Sequence, residues 1–330
     1  MLKIAILDDY VSLALESADW ANLGGEVDIT VFDRHLSEDE AVQLLQPFDV
    51  LCTMRERMSF PRSLIERLPR LKLILVVGAG IPNLDLIAAT DHGVTVCHSD
   101  YQGAVFRSVS NATPELAWGL MIATVRNLPQ EVQRVHQGLW QQSAGMILAG
   151  RTLALLGLGR IGGRMAHYAQ AFDMPVITWS QNLTADAAAA KGATRVEKDD
   201  LFARADVLSI HVQLSARTRG LVGPRELGLM KSSAYLINTS RGPIVDEAAL
   251  LAVLREKRIA GAGLDVFDQE PLPADHPLRT LDTVVSTPHL GYNTSETLRA
   301  FYGDMPEAIA AFARGAPIRV SNPEVSARRV

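Results

Sequence analysis

Three side chains placed just past apolar runs could carry out proton transfer and anion binding. His289 lies in Ser286-Thr287-Pro288-His289-Leu290-Gly291-Tyr292-Asn293-Thr294, directly after the apolar run Thr283-Val284-Val285. An imidazole titrates near neutrality, so it can take or return a proton at physiological pH. Glu270 follows the run 261–266, and Arg241 follows the run 234–238. A carboxylate hydrogen-bonded to an imidazole favours its charged form and fixes its tautomer. A guanidinium offers paired, planar donors to a carboxylate. Singly, each admits a plain structural role: Arg241 paired with Asp246, Glu270 a solvated acid before Pro271, His289 bonded to a backbone carbonyl. As a set beside a cofactor loop, they read as a catalytic group.

That loop is Leu153-Ala154-Leu155-Leu156-Gly157-Leu158-Gly159-Arg160-Ile161-Gly162-Gly163. A Gly-x-Gly-x-x-Gly pattern carries weight only between a strand and a helix. Here an apolar run precedes it, a helical stretch with Met165, Ala166 and Ala169 follows, and a new run Val176-Ile177-Thr178-Trp179 comes next. Gly157 allows the tight turn, Gly159 lets backbone approach a pyrophosphate, and Gly162 lets helix and strand pack closely. The pyrophosphate would rest on N–H groups at the helix start, around Arg160 and Ile161.

The elements that must position these groups alternate between short apolar runs and longer amphipathic stretches, the βαβ pattern of a parallel sheet covered on both faces. The sequence predicts strands at 3–7, 27–32, 49–53, 73–77 and 94–97, then at 152–156, 175–179, 206–210, 234–238, 261–266 and 283–286. Ligands of such sheets bind beyond the carboxyl ends of the strands. The residues found there are Ser180-Gln181-Asn182, His211, Thr239-Ser240-Arg241, Asp265, Glu270 and His289. Between the halves, Thr113-Pro114-Glu115 reads as an N-cap, a first-turn proline and an acid opening a helix, and Pro129 as the start of a second. The alanine-rich stretch 185–190 reads as an ordinary helix.

The 330 residues suggest two domains, and 48% hydrophobic residues suffice for substantial cores. A net charge of −5 without basic blocks gives no footprint for nucleic acid or a membrane surface. Cys52 and Cys97 are isolated and make neither a disulfide framework nor a metal pattern, so no metal is expected and a reducing compartment fits. The segment Met1 to Asp9 turns acidic too early for a signal peptide, and no apolar run approaches the roughly 20 residues of a membrane span. A cytoplasmic protein is expected.

Three segments carry a family resemblance: Gly157–Gly162, Leu236-Ile-Asn-Thr-Ser-Arg-Gly-Pro-Ile-Val-Asp246, and Gly263-Leu-Asp-Val-Phe-Asp-Gln-Glu-Pro271 with Thr287-Pro-His-Leu-Gly291. Val77-Gly-Ala-Gly80 and Asn83-Leu-Asp85 extend it into the first half. Together they resemble the D-isomer-specific 2-hydroxyacid dehydrogenases, which include D-3-phosphoglycerate, glyoxylate/hydroxypyruvate and D-lactate dehydrogenases. The resemblance implies an α/β fold of two doubly wound parallel-sheet domains. A Rossmann cofactor domain, 104–292, is inserted into a flavodoxin-like substrate domain, 1–103 plus 293–330. It implies hydride transfer between a nicotinamide cofactor and a small D-2-hydroxy or 2-keto acid, in a homodimer joined through the region 104–140.

The family's catalytic arginine, glutamate and histidine fall on Arg241, Glu270 and His289. Asp265 matches the residue that holds the nicotinamide carboxamide, and Gly291 closes the motif around the histidine. On the substrate side the resemblance points to Arg55, Val77, Gly78, Ala79 and Gly80, the last four as backbone donors to the substrate carboxylate. Arg55 lies in Thr53-Met-Arg-Glu-Arg-Met58, an unusual form of a substrate-side loop. Gln213 stands where a proline is common. Ser180 stands where NAD-specific members usually carry aspartate, so NAD(H) is favoured and NADP(H) is not excluded. No Lys or Arg lies within 180–182, Lys191 and Arg195 stand some way along the following helix and loop, and a base from another loop, for example Arg160, could still reach in. Phosphite- or formate-type oxidation is an alternative within enzymes, although formate dehydrogenases carry glutamine at the position of Glu270. A nicotinamide-sensing corepressor-like binding protein is an alternative outside them.

Overall fold

The computed structural model describes residues 1–78, 82–100 and 103–328. The chain divides into two compact units, 1–108 with 294–330, and 109–293.

The first unit is built on a five-stranded sheet. Its elements run β1 (Leu2–Ile6), β2 (Val27–Val31), α1 (Glu38–Leu45), β3 (Val50–Thr53), α2 (Arg62–Ile65), β4 (Leu73–Val76), α3 (Leu86–Asp91) and β5 (Thr95–His98). The strands are all parallel, in the order β2-β1-β3-β4-β5. This is the flavodoxin-like order, with its switch point between β1 and β3. Every residue of β3 and β4 is buried, which explains why these strands are unbroken apolar runs rather than alternating ones.

The second unit takes most of α4 (Gly103–Val125), then α5 (Leu128–His136), β6 (Leu153–Leu156), α6 (Arg160–Ala171), β7 (Val176–Trp179), α7 (Ala185–Ala189), β8 (Thr194–Arg195), α8 (Lys198–Arg204), β9 (Val207–Ile210), α9 (Pro224–Leu229), β10 (Tyr235–Asn238), α10 (Glu247–Arg255), β11 (Gly261–Leu264) and β12 (Val284–Ser286). Helices α11 (Ser295–Gly303) and α12 (Met305–Ala313) belong to the first unit. The large sheet is parallel, in the order β12-β11-β10-β9-β6-β7-β8. Strand β6 lies between β7 and β9, which makes its carboxyl end the Rossmann switch point.

All eleven expected strands are present. The two-residue β8 was not anticipated, being too short to show a pattern. The expected helix start at Thr113 is overturned: α4 begins upstream and carries Pro114 inside it. A proline there forfeits one backbone bond. The burial of Ala117, Leu120 and Met121 against the sheet holds the helix through it. Thr113 is therefore a packing residue and not a cap. Pro129 does open a helix, as the first turn of α5.

Candidate active site

The glycine loop follows the fully buried β6. Gly157 has φ 99°, and a Cβ there would lie 2.7 Å from the carbonyl oxygen of His211. A Cβ on Gly162 would strike the carbonyl of Gly157. Gly159 has no such neighbour: a Cβ there would meet nothing within 4 Å. Two glycines thus let chain approach chain, while the third opens the loop outward. Gly159 is also the N-cap of α6 and provides no side-chain cap for its N–H groups, so those at the helix start suit a diphosphate. The residues present therefore fit a dinucleotide.

The neighbouring strand ends complete this edge. Beyond β7 stand the neutral Ser180, Gln181 and Asn182. Beyond β9, His211 Nε2 lies 2.8 Å from Ser209 Oγ. Burial pushes its imidazole down to about 3, so the ring beside the glycine loop is neutral. Beyond β10, Thr239 keeps a buried hydroxyl with no protein partner, pointing to a ligand contact. Lys191 was missed as a neighbour of the loop: its Nζ donates to the carbonyls of Leu158, at 2.8 Å, and Gly159, at 3.3 Å.

Arg241, Glu270 and His289 are presented by cross-braced loops. Buried Asn238 accepts from Ser240 N at 3.0 Å and donates to the carbonyl of Arg241 at 3.0 Å, fixing the turn that presents Arg241. Gly242 packs so tightly on the backbone of Phe267 and Asp268 that no side chain fits, which locks this turn to the loop of Glu270. Phe267 N donates to Glu270 Oε1 at 2.9 Å. Glu247 braces the same loop, accepting from Asp268 N at 3.4 Å and lying 3.0 Å from His276 Nε2. The Nδ1 of His276 accepts from Leu278 N, which leaves Nε2 as the donor to Glu247.

Asp265 organises the loop of His289. Fully buried, it accepts from Thr287 Oγ1 at 2.6 Å, Leu290 N at 2.7 Å and Gly291 N at 2.9 Å, and its backbone carbonyl accepts from His289 N at 2.9 Å. Burial pushes its carboxyl above the usual range, against the pull of these bonds and of His289. Gly291 fits because a Cβ there would crowd Asp265 Oδ2 at 3.2 Å. His289 itself adopts φ 54°. Its Nδ1 lies 2.5 Å from Glu270 Oε2, and both side chains remain partly exposed. Arg241, Glu270 and His289 thus occupy neighbouring, mutually braced strand ends of one sheet, β10 to β12.

In the first unit, Arg55 adopts φ 50° and its Nη1 lies 3.6 Å from where a Cβ of Gly78 would stand. The backbone donors expected at 77–80 need correcting. Val77 N bonds the carbonyl of Thr53 at 3.3 Å and Gly78 N bonds Ser99 Oγ at 2.9 Å, so both are spent within the unit. Ala79 and Gly80 lie outside the described residues. Arg57 reaches across to stack over Tyr10 at 4.5 Å and donates to the carbonyl of Asp8 at 2.6 Å. Among the described residues no cluster of His, Cys, Asp and Glu has the arrangement of a metal site.

Comparison with known proteins decides the family. Residues 118–291 match the model of the D-isomer specific 2-hydroxyacid dehydrogenase, NAD binding domain. The chain belongs to this family. It is 35% identical to the D-3-phosphoglycerate dehydrogenase of Methanocaldococcus jannaschii over 96% of its length, although it spans only 58% of that protein. It is 37% identical to the glyoxylate reductase of Aeropyrum pernix, over 79% of each chain. The phosphoglycerate oxidoreductase of Vibrio cholerae O395 superposes with a TM-score of 0.88 at 35% identity, covering 96% of this chain and all of that one. As a member of the D-2-hydroxyacid dehydrogenases, the chain carries the family's NAD binding domain in its large unit.

Proposed function

We propose that the protein transfers a hydride between NAD(H) and a small D-2-hydroxy or 2-keto acid. The observation that carries this reading is the His289–Glu270 hydrogen bond of 2.5 Å, set on the sheet edge that also carries the dinucleotide loop. Oxidation of a 2-hydroxy acid removes a hydride from C2 and a proton from its hydroxyl. The nicotinamide, when bound, supplies the hydride acceptor or donor. His289 takes the proton from the hydroxyl in oxidation and returns it to the keto oxygen in reduction. Glu270 holds the imidazole through Nδ1, which directs Nε2 to the substrate and stabilises the imidazolium. Arg241 pairs with the substrate carboxylate through its planar fork. In this reading the cofactor domain is 104–292 and the substrate domain is 1–103 with 293–330. Arg55 acts on the substrate side.

Further parts of the reading concern assembly and location. No residue of α5 is buried, and Leu128, Val132 and Val135 form an apolar stripe continued by Leu139 and the 74% exposed Trp140. Such a stripe calls for a partner, and a second copy of the chain in a homodimer would cover it. Both cysteines are buried and unpaired, in keeping with a reducing cytoplasm. Among the described residues no helix is long and apolar enough to cross a membrane.

The test is a screen of small 2-keto acids, glyoxylate and hydroxypyruvate among them, with NADH and NADPH. Oxidation of the reduced cofactor with at least one acid is expected. Cofactor binding without turnover of any acid would favour the sensing reading instead, and light scattering of the same sample reports the dimer.

A further inference from the structure

The sequence offers no base at the end of β7 to recognise a phosphate on the adenosine ribose. The fold delivers one from further along. After β7 the chain runs through Ser180, Gln181 and Asn182 into the short helix α7, then reverses at Gly192, which has φ 71°. Lys191, immediately before that reversal, turns back along the first turn of α6. Its stem lies over Gly163, where a Cβ would stand 3.4 Å from Lys191 Cδ, so the absence of a side chain at Gly163 makes room for it. Two of its three N–H bonds go to the carbonyls of Leu158 and Gly159. Among the described residues, no Asp or Glu forms an ion pair with it.

In a βαβ dinucleotide unit the adenosine ribose lies between the glycine loop and the end of the second strand. An acid at that strand end would repel a 2′-phosphate, but Ser180 is neutral. No carboxylate at that strand end therefore opposes an anion, and Lys191 contributes an ammonium anchored on loop carbonyls with one donor unspent. Anchoring matters, because a lysine already held in place loses little further freedom when it meets an anion. We infer that Lys191 is a specificity residue that binds the 2′-phosphate of NADP(H), giving the protein use of both cofactors. This rests on the dinucleotide reading of the glycine loop.

The experiment measures binding to the purified protein rather than turnover. NADH and NADPH are titrated by fluorescence. Adenosine 5′-monophosphate and adenosine 2′,5′-bisphosphate, which differ only in the 2′-phosphate, are titrated by calorimetry. The wild type is expected to bind both reduced cofactors with dissociation constants within about a hundredfold. Lys191→Met and Lys191→Gln should each weaken NADPH and the bisphosphate about tenfold or more, as befits loss of one charge-assisted hydrogen bond, and leave NADH and the monophosphate within about threefold. Gln keeps a donor for the loop carbonyls, so it guards against a folding defect in Met. Equal losses for both cofactors would make Lys191 a brace of the loop and overturn the inference, as would no loss at all. Wild-type binding of NADH without NADPH overturns the inference alone; binding of neither overturns the proposed function as well.

Discussion

The carboxyl edges of the two sheets are braced in different ways. On the large sheet, each loop bearing a candidate reactive group is tied down by a buried side chain or by backbone. Asp265 holds the loop of His289 with three side-chain hydrogen bonds, and Asn238 holds the turn of Arg241 with two. On the small sheet, Arg55 pairs with its own neighbour Glu56 at 3.5 Å, and Arg57 rests on the Tyr10 ring. Long side chains with several rotatable bonds can adapt, whereas short ones on buried hydrogen bonds cannot. Proton transfer needs reacting atoms placed within a fraction of an ångström, so rigid bracing suits the large sheet. Choosing among related acids tolerates more side-chain movement, which the long arms of Arg55 and Arg57 allow, while Asn83 ties the backbone of their loop through the carbonyls of Glu56, at 3.1 Å, and Met58, at 2.9 Å.

The comparison predicts a graded series of effects. His289→Ala should lower turnover about 10²–10⁴-fold, the usual worth of general acid–base catalysis, while NADH binding measured by fluorescence stays nearly unchanged. Near-normal turnover would remove His289 from the chemistry. Asp265→Asn tests whether the bracing itself matters. An amide cannot accept from all of Thr287, Leu290 and Gly291, so one buried donor is left unpaired at about 1–3 kcal/mol. A fall of about 10–100-fold in turnover is expected, together with a lower melting temperature. A variant of unchanged turnover would show that the loop of His289 is held elsewhere.

Arg55→Ala probes the small-sheet edge. It should raise KM for the preferred acid about tenfold and reorder preference among keto acids, with kcat changed only a few-fold. A large loss of kcat at unchanged KM would place Arg55 in the chemistry and erase the contrast between the edges. The smallest effect concerns His211, held neutral by burial with its imidazole at about 3. Its folded value lies below its unfolded one, so the unfolded chain binds the extra proton as pH falls below about 6.5. Stability is therefore lost towards acid. From pH 6.5 to 5 this one group accounts for about 2 kcal/mol at most. Thermal melts of His211→Gln across that interval should show a shallower decline than the wild type; equal slopes would assign the acid sensitivity to other groups.

What the sequence by itself determined was local. Buried parallel strands must be apolar on both faces, so runs such as Leu153–Leu156 and Val207–Ile210 announced themselves, and the glycine loop was legible because strand, turn and helix are contiguous. Family resemblance assigned roles to Arg241, Glu270 and His289, but not the braces that hold them. Those braces join residues far apart in the chain, Glu247 with His276 and Asp265 with Gly291. Local rules failed where packing outweighed them, as at Pro114, which reads as a helix start and lies inside α4. They failed also at Val77 and Gly78, whose donors look available until Thr53 and Ser99 are brought beside them by the pairing of β3, β4 and β5. Periodicity records which face of an element is buried, and only the assembled sheet decides which strand ends become neighbours.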